Sequence, residues 1–307
     1  MKKLSITWQG VEDPTGYLFS LAKSLSAAVQ NSPYAELAED IVATSGFAFR
    51  MWLSADLCPS ATSIWSWDDQ KKWVESGGLL CDYVGRYWGQ EDQEEPQRLK
   101  AIELIKESID RGVAAISWDI GVPEWGLIIG YDDAAQAFST LSITGETAEM
   151  PYSVLGKREL PLLSVLTLTG RSDKSPEAIR TDTLKLAVSH LKGEESCENA
   201  KGLEVYPVLL KHYEEEGGYG ASWNAEYFLG TYGALKKYAY KYFEKVELPE
   251  LADLYRSVYK AWQEAFTLKK NEDASTPEVR RKIAALLHTA YEKEQEAVGL
   301  MASLTAS

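Results

Sequence analysis

The spacing of apolar residues changes character once along this chain, and that change limits the folds open to it. Between residues 113 and 169 the apolar residues gather in short runs: VAAISWDI (113–120), WGLIIGYD (125–132), AFSTLSIT (137–144) and LPLLSVLTLT (160–169). The first two flank Gly121-Val122-Pro123-Glu124 and read as a hairpin. Beyond Pro176 the period becomes helical. Leu251, Leu254, Tyr255, Val258, Trp262, Ala265 and Phe266 mark the most amphipathic of about five helices. Strands in series followed by helices in series predict an α+β fold with a mostly antiparallel sheet, not α/β alternation. The polar stretch Gly170–Pro176 divides a first domain, 1–170, from an all-α domain, 171–307.

Within the first domain, Asp13-Pro14 reads as a cap and first turn, opening a core helix on Leu18, Leu21, Ala22, Leu25 and Val29. Ser32-Pro33 opens a second helix that Gly46 ends, and FAFRMWLS (47–54) reads as a strand. Residues 97–110 form an amphipathic helix on Leu99, Ile102, Ile105 and Ile109.

Charge excludes several functions. The 32 Lys and Arg stand against 46 Asp and Glu, a formal −14, so phosphate backbones and anionic lipids are disfavoured partners. Most of the excess falls on one part: residues 1–170 carry a net −11, residues 171–307 a net −3. That asymmetry suits an amine-bearing partner. No run of 18 apolar residues occurs, and Gln9, Glu12, Asp13 and Pro14 interrupt the start, so a cytoplasmic protein is expected. Three widely spaced cysteines agree with that compartment. The three histidines, His190, His212 and His288, all lie beyond residue 189, and their helical spacing assigns the first two to the core.

Few residues remain for chemistry. Cys58 precedes Pro59, where a short helix would lower a thiol's pKa; a small buried hydrophobe is the other reading. Glu124 sits in the hairpin turn beside Trp125 and near Trp118, where burial would raise its pKa and suit it to acid or base work. Asp132 ends the second hairpin strand and is a further candidate, although Asp132-Asp133 also reads as a turn. Arg50 is a candidate anion anchor, and Trp65, Trp118 and Trp125 are candidate ligand-contacting rings. The loop GGYG (217–220) lacks the lysine of a phosphate loop. No HExxH, EF-hand or GxSxG pattern occurs, so neither a metal nor a cofactor is expected.

Three segments resemble a known superfamily. PEWGLIIGYDD (123–133) resembles the HWVVVxGYDD-type hairpin of C39-like, papain-fold cysteine peptidases, in which the catalytic histidine opens the strand; Glu124 stands in its place. SGFAFRMWLSADLCPSATSIWSW (45–67) is similar to segments of relatives of the butirosin biosynthesis protein H N-terminal domain. The GLxxY string Gly202–Tyr206 also occurs in such relatives. The resemblance implies a papain-like fold for residues 1–170 and, through the butirosin relatives, acyl transfer from a carrier protein to an amine. In the C39-like pattern a cysteine begins the first core helix; here Thr15-Gly16 occupies the approximate place. With both halves of the Cys-His dyad replaced, the expected function is binding of a small molecule, peptide or carrier-linked substrate. The alternatives are a thioester-forming acyltransferase or hydrolase that uses Cys58 with Glu124 or Asp132, and a scaffold whose helical half forms a homodimer. A carboxylate is a weak base for a thiol, with ordinary pKa values of about 4 against 8.5.

Overall fold

The computed structural model describes residues 1–158, 160–215 and 217–306. The chain runs β1 (Lys2–Lys3), α1 (Ser20–Gln30), α2 (Ile41–Thr44), β2 (Trp52–Leu53), α3 (Asp69–Ser76), β3 (Leu79–Arg86) and α4 (Glu94–Asp110). Strands β4 (Ala115–Ser117), β5 (Gly126–Asp132), β6 (Ala137–Leu141), β7 (Thr147–Pro151) and β8 (Leu163–Arg171) follow. Then come α5 (Pro176–Leu191), β9 (Ala200–Lys201), α6 (Val205–Glu214), α7 (Trp223–Lys245), α8 (Pro249–Asn271) and α9 (Pro277–Thr305). The chain is therefore mixed α and β, with an antiparallel sheet and a helical C-terminal region.

Contacts divide it into two compact units. One holds Met1–Glu12, Ser20–Ile41 and Ser66–Lys174; the other holds Asp13–Phe19, Val42–Trp65 and Ser175–Ser307. This differs from a single cut after Gly170, because two early segments belong with the helices. The segment 47–53 shows why. Phe47, Phe49 and Trp52 are almost wholly buried, so the run is apolar on every side instead of alternating. Phe49 packs edge-on against Tyr255 and tilted against Phe243, and only Trp52–Leu53 of the expected strand pairs, with Ala200–Lys201.

In the first unit the strand order is β3-β8-β4-β5-β6-β7, every pair antiparallel, and β1 adds alongside β5. The hairpin expected from 113–132 is present, Ser117 facing Gly126. Helix α4 lays Ala101, Ile105 and Ile109 on Val84, Ile128, Phe138 and Val165 of one sheet face. Leu99, expected in that stripe, is exposed. Side chains alternate along a strand, so the buried Leu127 turns to the other face; α1, like α4, packs on β4 and β5.

Two N-terminal expectations are corrected. The first core helix starts at Ser20, not at Pro14. The Asp13 carboxylate accepts hydrogen bonds from the Gly16 and Leu18 N–H groups, and Gly16 has φ +80°, so residues 13–18 loop instead of winding. The second helix is reduced to a 3-10 turn at Ala35–Leu37 and the single turn α2, after which Gly46 turns at φ +80°.

In the second unit a buried ion pair joins four helices. Lys236 of α7 and Glu294 of α9 are both fully enclosed, with Nζ 2.6 Å from Oε1. The Tyr255 hydroxyl of α8 donates to the same carboxylate at 3.0 Å, and the Tyr206 hydroxyl of α6 donates at 2.8 Å. The Trp262 indole N–H in turn donates to the Tyr206 oxygen. Burial lowers the Lys236 pKa, against the pull of Glu294, and raises both tyrosines. Ser175, Ser222 and Thr276 cap α5, α7 and α9 through their hydroxyls.

Removing one member of such a pair leaves an uncompensated buried charge. Glu294→Ala is expected to lose about 3–5 kcal/mol in urea unfolding. The double variant Lys236→Met with Glu294→Leu should lose clearly less, and equal losses would contradict this account of the pair.

Candidate functional site

The turn between β4 and β5 is tightly made. Asp119 is buried and adopts φ +60°, a left-handed conformation that non-glycine residues seldom take. The Ile120 N–H donates to the Glu124 carbonyl at 3.2 Å. Arg158 donates to the carbonyls of Asp119 and Gly121, with its Nε 3.6 Å from the Asp119 carboxylate. A Cβ on Gly126 would come within 2.7 Å of the Ile120 Cβ, so the hairpin can close only with glycine there.

This closure sends the Glu124 side chain to the first residue of α1. The Ser20 hydroxyl donates to Glu124 Oε2, and the Trp125 N–H donates to the same hydroxyl oxygen at 3.3 Å. Ser20 is buried, and burial raises the Glu124 pKa while the Ser20 hydrogen bond partly opposes it. A helix-opening hydroxyl thus meets a carboxyl in the turn just before β5. Ser20 is the residue that sequence reasoning missed. Its signal was a serine just ahead of Leu21, Ala22 and Leu25, a usual helix-start residue, outweighed by the more obvious Asp13-Pro14.

Trp118 and Trp125 lie beside this pair but form no open wall. With Trp67 they make a packed triad with centroids 4.9, 5.1 and 5.3 Å apart, and all three are buried. The expected role of Trp118 and Trp125 as ligand-contacting rings gives way to core packing. Trp65 belongs to the other unit, where it packs on Phe19 and Phe47.

Arg50 is not open to an external anion either, because it holds the chain's own Glu195. Its Nε donates to Glu195 Oε2 at 3.1 Å, and its remaining nitrogens donate to the carbonyls of Thr62 and Ile64. The guanidinium carbon lies 4.2 and 4.6 Å from the ring centroids of Trp52 and Trp65. His190 Nδ1 completes the cluster, 2.7 Å from Glu195 Oε1. Burial works to raise Glu195; His190 and Arg50 outweigh it and hold the carboxylate below its ordinary pKa.

Cys58 caps only the short 3-10 turn Pro59–Ser63, and it belongs to the second unit, whereas Glu124 and Asp132 belong to the first. Its N–H donates to Ser54 and Asp56, and its Sγ is 3.0 Å from the Ser60 hydroxyl. Asp132 serves the β5–β6 turn, accepting from the Ala134 and Ala135 N–H groups. Cys81 is buried and its thiol is pushed up to about 12 by burial.

The GGYG loop folds back on α6. The Tyr219 N–H donates to His212 Nδ1 at 3.2 Å, and a Cβ on Gly218 or Gly220 would strike the His212 carbonyl. A cavity of about 330 Å³ lies there, lined by Ala55, Val208, Lys211, His212, Glu215 and Tyr219 among others. Burial lowers the His212 pKa, consistent with a ring nitrogen that accepts a hydrogen bond. Among the described residues no group of three or more His, Cys, Asp or Glu side chains is placed to hold a metal ion. Nor is any described helix long and apolar enough to cross a membrane.

No family model matches the chain, and no curated protein matches it.

The raised carboxyl of Glu124 makes stability depend on pH with a definite sign. Its folded pKa lies above the unfolded value, so its contribution is full below the unfolded value and is lost as pH rises through the folded one. Glu124→Gln keeps an acceptor for Ser20 without the charge. In urea unfolding the variant should gain on the wild-type chain between pH 4 and pH 8; a constant difference would contradict a half-buried, destabilised carboxylate.

Proposed function

We propose that the sheet-bearing unit is a papain-like domain of the C39-like type that has exchanged catalysis for binding, with Ser20 and Glu124 in the positions of the dyad. The observation that carries this reading is the Ser20–Glu124 hydrogen bond, which joins the start of a core helix to the start of a sheet strand. In the C39-like pattern a cysteine begins the first core helix and a histidine opens the strand; because the helix begins at Ser20 and not near Thr15-Gly16, the cysteine's place moves to Ser20. Here the hydroxyl is a weaker nucleophile than a thiolate, and the carboxyl is a weaker base than an imidazole. Burial adds to the loss, because it favours a neutral Glu124, which already holds its proton and cannot take one from a nucleophile.

A thioester mechanism on Cys58 draws no support from its surroundings. Its side-chain partner is the Ser60 hydroxyl, and the two carboxylates named for it lie in the other unit. The ligand class proposed is a small molecule, a peptide or a carrier-linked group.

The test is turnover of an activated acyl substrate. The wild-type chain, Ser20→Ala and Cys58→Ala are each incubated with p-nitrophenyl acetate and with an N-acetylcysteamine thioester between pH 5 and pH 9. The binding reading expects release within twofold of the buffer rate for all three. Turnover that vanishes in Ser20→Ala or in Cys58→Ala would overturn it and name the nucleophile.

A further inference from the structure

The second unit carries an aromatic cluster that none of the chemistry above uses. Trp223, the first residue of α7, is 57% exposed, an unusual position for an indole. Tyr227 lies one turn on, its ring centroid 5.7 Å from that of Trp223. Tyr17 closes the group at 6.3 Å from Trp223 and 6.1 Å from Tyr227, roughly perpendicular to the second. Glu226 stands among them, and its Oε1 accepts a hydrogen bond from the Tyr17 hydroxyl at 2.8 Å. Both tyrosines and the glutamate are half-buried.

We propose that Tyr17, Trp223, Tyr227 and Glu226 form a binding site for an organic ammonium ion of the quaternary or N-methylated kind. Three centroids at these spacings lie on a circle of about 3.5 Å radius. A cation seated about 4 Å above it is within about 6 Å of every ring centroid, the distance at which a ring face turned toward it attracts a cation. The carboxylate supplies the charge. Among the described residues no cation pairs with Glu226, and none stands over the Trp223 ring.

The cluster's border already attracts an ammonium group. Lys270 Nζ lies 5.5 Å from the Phe266 ring, and Phe266 packs 5.8 Å from Tyr17. The chain's net charge of −14 adds a long-range attraction for cations. Methylated ammonium groups fit better than bare ones, because they shed little hydration when they meet the rings.

The full chain is titrated with choline and, in parallel, with its neutral isostere 3,3-dimethyl-1-butanol at low salt, following indole N–H signals by NMR. Saturable shifts at Trp223 are expected for choline, with the isostere weaker by about tenfold. Trp223→Ala should weaken choline by about tenfold, and Glu226→Gln should weaken it while leaving the isostere unchanged. Trp223 is exposed and Glu226→Gln keeps the Tyr17 hydrogen bond, so both variants should fold. An absence of saturable shift, equal affinity for the isostere, or an unaffected Trp223→Ala would overturn the proposal.

Discussion

A half-buried carboxyl group that accepts a hydrogen bond from one hydroxyl is the contact around which the sheet-bearing unit is arranged. Glu124 can reach Ser20 only because the β4–β5 turn is closed by a left-handed Asp119, a glycine at 126 and the hydrogen bonds of Arg158. Strand β5 begins at that turn and pairs with β4, β6 and β1, so the position of one side chain is tied to the register of four strands. Helix α1 is held on β4 and β5 by the same contact and by its own apolar face. The arrangement places a polar pair inside an apolar setting and raises the pKa of one member, which structural cores usually avoid.

The helical unit deals with buried charge differently. Glu294 faces a full cation and two hydroxyl donors, and Glu195 faces a guanidinium and an imidazole. Both are saturated, and each joins segments far apart in the chain. Among the described residues Glu124 has a neutral partner only. That contrast separates a carboxylate that organises packing from one whose protonation is left open, and it is the physical ground for treating the Ser20–Glu124 pair as a site.

Much of the fold was legible where packing follows a simple period. The hairpin at 113–132 and the five C-terminal helices follow from short apolar runs and helical spacing. Strands β3 and β7 escaped because they lack that signal: β7 buries only Met150, and β3 is an edge strand with Leu80 exposed. The start of α1 was misplaced because Asp13-Pro14 carries every local mark of a helix start, and only Gly16's left-handed turn cancels it.

The site was half legible for a related reason. Glu124 stood out by its place in a turn between tryptophans, a local property. Ser20 could be joined to it only through the fold, since the two lie 104 residues apart. The internal partners of Arg50 and Trp65, Glu195 and Phe19 among them, were hidden for the same reason, since they too lie far off in the sequence.

The central claim is that Ser20 and Glu124 occupy the places of a nucleophile and its base. It is tested most directly by restoring the pair, through Ser20→Cys combined with Glu124→His in a Cys58→Ser background. The rate of iodoacetamide labelling at position 20 is then followed from pH 5 to pH 9. An imidazole beside a helix-opening thiol should stabilise the thiolate and make labelling at pH 6 at least about tenfold faster than in Ser20→Cys alone. Equal rates in the two variants, with the ordinary pH dependence of a free thiol, would contradict the account.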